Sequence, residues 1–399
     1  MKTHLSKTYD IVKISTTTNA HINMVKTKSA PSMYKKINLH NLALSLIAIV
    51  FASGLISGCS GLSSSSGANQ KGGGAISATQ PTASGSWEVL RVNNATEYID
   101  KTTVSDFEQE FKIRVVYSEF ESNEDLYDDV AKDPGAYDIL VPSDYTVDRL
   151  IQEGRLAKLD VSKIPNIAQV APQYLNPDYD PGNEYTVPYM VGTLGILYNK
   201  KRVSAPVDSW TSLWDSGNRG GIFLWDSQRD VIGATLKMLG YSVNSSDDAE
   251  LAQVRERLRA GRLLFQYGND EIRDRLVADE GIMAVVYSGD AKTAIDENPN
   301  LDYVIPKEGS NKWVDGFVIM KDTPHLEAAY NFINFMCRPN IAVRNMTRTG
   351  YTAPIPGAWA EFGTNRIMFP PDDELGRCEP FLYNAEASVK YANLWLDVR

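Results

Sequence analysis

Histidine and cysteine are scarce in this chain: four histidines and three cysteines in 399 residues. Three of the histidines fall within the first 58 residues, which leaves His325 alone in the rest. CxxC, HExxH and GxSxG patterns are absent. These shortages argue against histidine-based acid–base catalysis, a zinc centre and a hydrolase triad. We therefore expect no catalytic residues, no metal and no cofactor. Basic charge is also in short supply: beyond residue 58, 33 Lys and Arg face 49 Asp and Glu, a net charge of −16. Such a body repels nucleic acid and attracts cations. Long apolar runs are missing after the first 58 residues, so no later segment is expected to span a bilayer.

The early apolar run does have a reading. Lys35 and Lys36 precede Leu42 to Ile56, and the run closes on Ile56, Ser57, Gly58 and Cys59. A basic region, an apolar stretch and small residues at the cut describe a secretory signal over 1–58. Cys59 directly after the cut fits a lipobox, with Cys59 as the lipidated N-terminus and the membrane reached through that lipid. An uncleaved membrane anchor is the alternative. Residues 1–32 look like an over-long start, with Met33 as the initiator. Residues 59–86, rich in Ser, Gly, Ala and Thr, are expected to be a flexible linker. The remaining stretch of about 310 residues suffices for two lobes.

The body alternates strand and helix patterns. WEVLRVN reads as a strand ending in Asn93 to Tyr98, a helix follows with Val104, Phe107 and Phe111 at helical spacing, and IRVVYSEF is a second strand. A helix across Asn123 to Ala131, the strand YDILVP, a turn at Ser143 and Asp144 and a helix to Gly154 come next. This alternation predicts α/β layers with mainly parallel sheets, whose ligands gather at the carboxyl ends of strands. Tyr185 to Asn199, punctuated by Pro188, Gly192 and Gly195, reads as a strand crossing between two lobes. SWTSLWD is expected to start a helix, GIFLWDSQRD to run from strand into helix, and Ala249 to Ala260 to be helical. After FVIM, a helix over Leu326 to Met336 and the stretch TGYTAPIP suggest a return to the first lobe and a second crossing. A final helix spans about Glu386 to Trp395. Cys337 and Cys378 are left open as a pair or as free thiols.

Tyr287 to Asp315 holds the densest chemistry. An apolar run, Ile282 to Val286, ends in Tyr287, a Ser-Gly turn and Asp290, where a strand hands over to a helix. In KWVDGFVIM the two-residue period puts Trp313 and Asp315 on one face. Two aromatic and acidic pairs at strand ends suit a small organic cation, because a desolvated ammonium needs carboxylates and an aromatic face adds about 0.5 to 2 kcal/mol. The same residues also fit a core tryptophan with two solvated aspartates.

From Trp87 onward the chain resembles the spermidine/putrescine-binding proteins of polyamine ABC transporters, a branch of the bilobal periplasmic binding proteins. TEY at 96–98, YDILVPSDYTVDRL at 137–150, VPYMVGTLGILYNK at 187–200, DSQRDVIG at 226–233, YSGDA at 287–291 and PKEGSNKWVDGFVI at 306–319 carry the likeness. INFMCRP and GYTAP follow in the family's order. The resemblance implies an α/β, two-lobe, type II fold with two strand crossings at the hinge, residues 87–191 with about 316–355 forming the first lobe and 192–315 with about 356–399 the second. It implies a polyamine held between the lobes by Glu97, Tyr98, Ser143, Tyr145, Asp230, Tyr287, Asp290, Trp313 and Asp315. It further implies delivery to an ABC permease by a monomeric receptor in the cell envelope. Ala95, Val191 and Ser227 stand where relatives carry Trp, Trp or Phe, and an acid; Phe381 lies where they have a polar contact. The missing aromatic walls leave spermidine against putrescine undecided. An amino-acid-like or sugar-like solute, with Arg229 as a basic contact, a carboxylate glycosidase using Asp290 and Asp315, and a signalling or adhesive ectodomain are the competing readings.

Overall fold

The structure is a computed structural model that describes residues 87–269 and 271–399. The expected signal, linker and Cys59 lipidation site lie outside the described residues. The N-terminal part winds β1 (Glu88–Ala95), α1 (Lys101–Phe111), β2 (Ile113–Phe120), α2 (Asn123–Lys132), β3 (Ile139–Leu140) and α3 (Asp144–Gln152). A long strand, β4 (Thr186–Asn199), leads into β5 (Ile222–Trp225), α4 (Gln228–Met238), α5 (Asp248–Gly261), β6 (Phe265–Gly268), α6 (Glu271–Val277), β7 (Met283–Tyr287), α7 (Ser288–Glu297) and β8 (Leu301–Val304). The chain returns through β9 (Lys312–Ile319) to α8 (Leu326–Met336) and α9 (Pro339–Thr349). Single turns α10 (Pro356–Trp359) and α11 (Asp372–Leu375) precede the closing α12 (Ala385–Val398).

The strands run in the order β2-β1-β3-β9-β4-β7-β5-β6, with β8 also on β4. The outer strands are parallel, β1 with β2 and β3, β5 with β6 and β7, as strand and helix alternation requires. The expected parallel character fails at the centre, where β4 and β9 pair antiparallel with each other and with their neighbours. Two strands that cross a hinge in opposite chain directions can pair only that way. β4 pairs with β9 through Thr193 and with β7 from Leu194, so it passes from one lobe to the other at that point. The return crossing is β9 itself.

The two-residue period sorts each lobe into two cores. Ile139, Phe317 and Ile319 join one cluster under α1, α8 and α9, while Leu140, Val318 and Met320 join another under α2 and α3. In the second lobe Leu224, Met283 and Val285 face α4, α5 and α12, and Phe223, Ala284 and Val286 face α6 and α7. Helices therefore cover both faces of each sheet. SWTSLWD forms only a short 3-10 turn, Trp210–Trp214, and α9, which starts on Pro339 and ends at Gly350, was not anticipated. Residues 355 to 369 pack through Ile355, Ala358 and Met368 into the first-lobe core, whereas Ala387, Tyr391 and Leu394 of α12 enter the second. Cys337 and Cys378 are buried free thiols. Among the described residues no helix is long and apolar enough to cross a membrane.

Candidate functional site

Strand ends and helix starts converge where the lobes meet. β1 ends at Ala95 and the chain turns at Glu97, whose φ of 55° lies in the left-handed region. That turn directs Glu97 outward, where its largely exposed carboxylate meets Arg348 at 3.5 Å. The next residue, Tyr98, turns inward and is buried. Tyr189 of β4 donates its hydroxyl to the Tyr98 carbonyl at 2.7 Å and fixes this turn.

Tyr98 begins an aromatic wall built from both lobes. It meets Tyr351 edge-on at 5.2 Å and Trp313 at 6.5 Å; Trp313 in turn contacts Tyr351 at 5.2 Å and Tyr287 at 6.3 Å, and Tyr287 leans on Trp225 at 5.3 Å. Two glycines make room for it. A Cβ at Gly192 would lie 2.4 Å from Cζ2 of Trp313, and one at Gly289 would lie 2.5 Å from the Tyr351 ring. These rings offer a cation their negative faces.

Carboxylates stand against this wall. Ser227 caps α4 by accepting the Asp230 N–H, which sets Asp230 in the first turn, where the helix dipole favours its charge. Its Oδ2 accepts the Tyr287 hydroxyl at 2.6 Å, and burial raises its pKa while the bonds from Tyr287 and Ser227 oppose the rise. Asp290, in the first turn of α7, accepts the Tyr351 hydroxyl at 2.8 Å across the lobes. Asp315 shares the Trp313 face of β9 and bridges to Ser143, the N-cap of α3. It is 8% exposed, and burial pushes its pKa up to about 6 against the pull of the nearby Ser143 and Tyr98 hydroxyls. Neither Oδ1 of Asp315 nor the Tyr98 hydroxyl reaches a well-formed hydrogen bond. Burial first, then the adjacent aspartates, hold Tyr98, Tyr287 and Tyr351 well above the usual phenol range, so they remain neutral donors.

A second contact zone lies toward α2. The Arg229 guanidinium sits 4.2 Å over the Tyr145 ring, and its Nε is 3.7 Å from Glu124. From its own lobe, Ser388 of α12 accepts an Arg229 hydrogen bond at 3.0 Å. Tyr145 meets Phe381 edge-on at 6.2 Å, and Arg149 lies 5.4 Å over Tyr383. Arg229 thus rests on a tyrosine of the other lobe, whereas Arg149, near Tyr383, lies closest over Tyr127 of its own lobe at 3.2 Å.

Of the residues singled out from the sequence, Tyr98, Ser143, Asp230, Tyr287, Asp290, Trp313 and Asp315 lie in one connected cluster. Tyr145 sits beside it in the Arg229 contact, and Glu97 stands outside. Tyr351, Trp225 and Asp144 went unselected. For Tyr351 a signal existed: an aromatic residue directly after the Gly350 helix stop, inside the noted GYTAP. Trp225 ends β5 just before the cap of α4 and was read only as strand. Among the described residues no group of His, Cys, Asp and Glu is arranged to hold a metal ion.

Known proteins resemble this chain in sequence and in fold. Residues 102–365 match the family model described as bacterial extracellular solute-binding protein. The spermidine/putrescine-binding periplasmic protein of Escherichia coli K12 is 35% identical over 265 residues, 65% of this chain and 76% of the relative. The substrate-binding protein PotD of a Streptococcus pneumoniae spermidine/putrescine ABC transporter superposes with a TM-score of 0.69 at 33% identity, covering 78% of this chain and 98% of that one. A PotD lipoprotein of Treponema pallidum gives 0.72 at 27% identity, with coverage of 78% and 99%. With aspartates and aromatic rings gathered where two α/β lobes meet, and with this likeness over most of its length, the chain belongs to the bacterial extracellular solute-binding proteins, a family of binding components and not of enzymes.

Proposed function

We propose that this protein captures a polyamine, putrescine or spermidine, between its lobes and hands it to an ABC permease. The observation that carries the reading is Asp315: a carboxylate buried against Trp313 and Tyr98, raised in pKa, with an oxygen lacking a donor. An ammonium would supply both the missing donors and the counter-charge. Asp230 and Asp290 then serve further amino groups, their tyrosine hydroxyls sharing the carboxylates with the ligand. Tyr98, Tyr287, Trp313 and Tyr351 enclose the methylenes, Ser143 orients Asp315, and Tyr145 closes the α2 side. Glu97, turned toward Arg348, has no part in the ligand set in this arrangement.

Capture follows from a difference in affinity between open and closed forms. Asp230 and Asp290 belong to the second lobe and Tyr98 and Tyr351 to the first, so only the closed form presents them together, and a cation that prefers that form shifts the population toward it. Arg229, the basic group that an anionic solute would need, is engaged by Glu124 and Ser388, which supports a cationic ligand. The relatives in Escherichia coli and Streptococcus pneumoniae carry polyamines in their names. We read residues 87–191 with about 316–355 as one lobe and 192–315 with about 356–399 as the other, the short 355–369 segment leaning on the first. Cys59 is read as a lipid anchor on a membrane, facing the periplasm or exterior, a reading supported by the likeness to a Treponema pallidum lipoprotein, and the receptor is read as a monomer.

Calorimetry of the mature body with putrescine, spermidine, amino acids and sugars tests the proposal. One-to-one binding confined to the polyamines is the expected result. Binding of a sugar or amino acid without polyamine binding refutes it.

A further inference from the structure

Arg229 is a cation that the proposed ligand set leaves aside, yet it is buried beside that set. It lies in the first turn of α4, directly before Asp230, and is 8% exposed. Its guanidinium rests 4.2 Å over the Tyr145 ring and 5.9 Å from the Phe381 ring, and those two rings meet edge-on at 6.2 Å. Glu124 of α2 stands 3.7 Å from its Nε, and a hydrogen bond of 3.0 Å from Nη2 to the Ser388 hydroxyl ties it to α12. Two rings and a carboxylate are the surroundings that a desolvated ammonium needs. The protein's own arginine therefore fills a cation seat.

This seat adjoins the ligand set from both lobes. On the second lobe Asp230, the next residue, accepts the Tyr287 hydroxyl at 2.6 Å. On the first lobe Asn123, the neighbour of Glu124, donates to the Ser143 hydroxyl at 3.0 Å and accepts the Ser143 N–H at 2.9 Å, and Ser143 bridges to Asp315. Arg229 also lines a cavity of about 170 Å³ together with Asn244, Tyr383, Asn384 and Tyr391. Among the described residues no carboxylate lines that cavity, and its amides are already engaged: Asn244 bonds the Pro380 carbonyl and the Leu382 N–H, and Asn384 caps α12. Arg229 thus borders both the meeting of the lobes and a space that has no counter-charge of its own.

We infer that Arg229 is a specificity-determining residue that walls off the α2 end of the cleft and sets the upper limit of ligand length. The inference rests on the polyamine reading of the cleft. A ligand running past Asp230 toward α2 meets a guanidinium whose carboxylate partner is already taken. A further ammonium there finds no counter-charge and adds like-charge repulsion. Its methylenes find the Tyr145 face covered by the same group. Removing the Arg229 side chain frees Glu124 and both rings for a ligand ammonium, and it opens the seat onto the neighbouring cavity.

Calorimetric titration with putrescine, spermidine and the longer tetraamine spermine tests the wall. The parent should bind spermine more weakly than the shorter polyamine that it prefers. Arg229→Ala, and Arg229→Gln, which keeps a donor for Ser388, should raise the affinity for spermine relative to that shorter polyamine by about tenfold or more. Adding Glu124→Gln to Arg229→Ala should abolish the gain, because the freed seat then lacks its counter-charge. A packing role alone would lower all the affinities together and leave their ratios unchanged. Unchanged ratios, a gain that persists in the double variant, or a parent that binds spermine as tightly as the shorter polyamines each overturn the inference and leave the polyamine reading intact. Absence of any polyamine binding by the parent overturns both.

Discussion

Replacing Asp315 by Asn should weaken polyamine binding while making the empty protein more stable. On the binding side, the variant leaves an ammonium desolvated against Trp313 and Tyr98 without its counter-charge. Removing one partner of a buried charge pair costs about 2 to 5 kcal/mol, or roughly 30-fold to several thousandfold in Kd. On the stability side, Asp315 moves from its ordinary 3.8 to about 6 on folding. Between those values the folded protein keeps a proton that the unfolded chain has lost, so stability falls as pH rises through that window. At neutral pH the buried charge costs about 3 kcal/mol from this shift, at 1.36 kcal/mol per pH unit. Asparagine removes that cost but must itself find partners, so a net gain on the order of 1 to 2 kcal/mol, a few degrees in melting temperature, is expected. Calorimetric titration and melting curves at pH 4 and pH 7 read both effects. The stability gain should be present at pH 7 and shrink toward pH 4. Unchanged affinity for putrescine and spermidine, or a variant less stable than the parent at pH 7, would refute the reasoning.

Three further outcomes follow from the same geometry. Gly192→Ala should cost about 1 to 3 kcal/mol and displace Trp313, since the new methyl would sit 2.4 Å from the indole, a change visible in melting temperature and tryptophan fluorescence. Tyr351→Phe removes the donor that Asp290 accepts from across the lobes and should lower polyamine affinity by about 1 to 2 kcal/mol in calorimetry, with little change in fold by circular dichroism. Arg229→Met cuts the contacts to Glu124 and Tyr145 while keeping an apolar stem, so small-angle scattering of the empty protein should show a larger radius of gyration than the parent.

Much of the architecture was legible because it rests on local rules. Alternating apolar residues in IRVVYSEF and FVIM, the helical spacing of Val104, Phe107 and Phe111, and the run of GIFLWDSQRD from strand into helix are properties of neighbours in sequence, and each element formed close to the expected place. SWTSLWD misled because two tryptophans and a leucine satisfy a helical pattern, whereas Trp210 donates its indole N–H to the Gly309 carbonyl and the segment closes as a 3-10 turn. α9 was passed over because its pattern, with Arg, Asn and Thr between its apolar positions, is weak until α1 and α8 supply the face that it packs on. The antiparallel centre was hidden for a different reason: strand direction within a sheet depends on where the chain has been.

The sequence by itself determined the class of protein: an acidic α/β body with almost no histidine, aromatic and acidic residues paired at strand ends, and motifs in the order of a solute-binding family. The composition and the residue pairs follow from residue counts and short-range periodicity, and the motif order is a resemblance to a known family; none of these needs a third dimension. Only the tertiary structure decided the membership and state of the site. It turned Glu97 out to Arg348 and Tyr98 in, and it brought Tyr351 from after α9 to Asp290 on the other lobe. The reason is physical: whether a carboxylate is solvated, bonded or strained toward its neutral form depends on groups tens to hundreds of residues away, and their approach is fixed by β4, β9 and the packing of two cores.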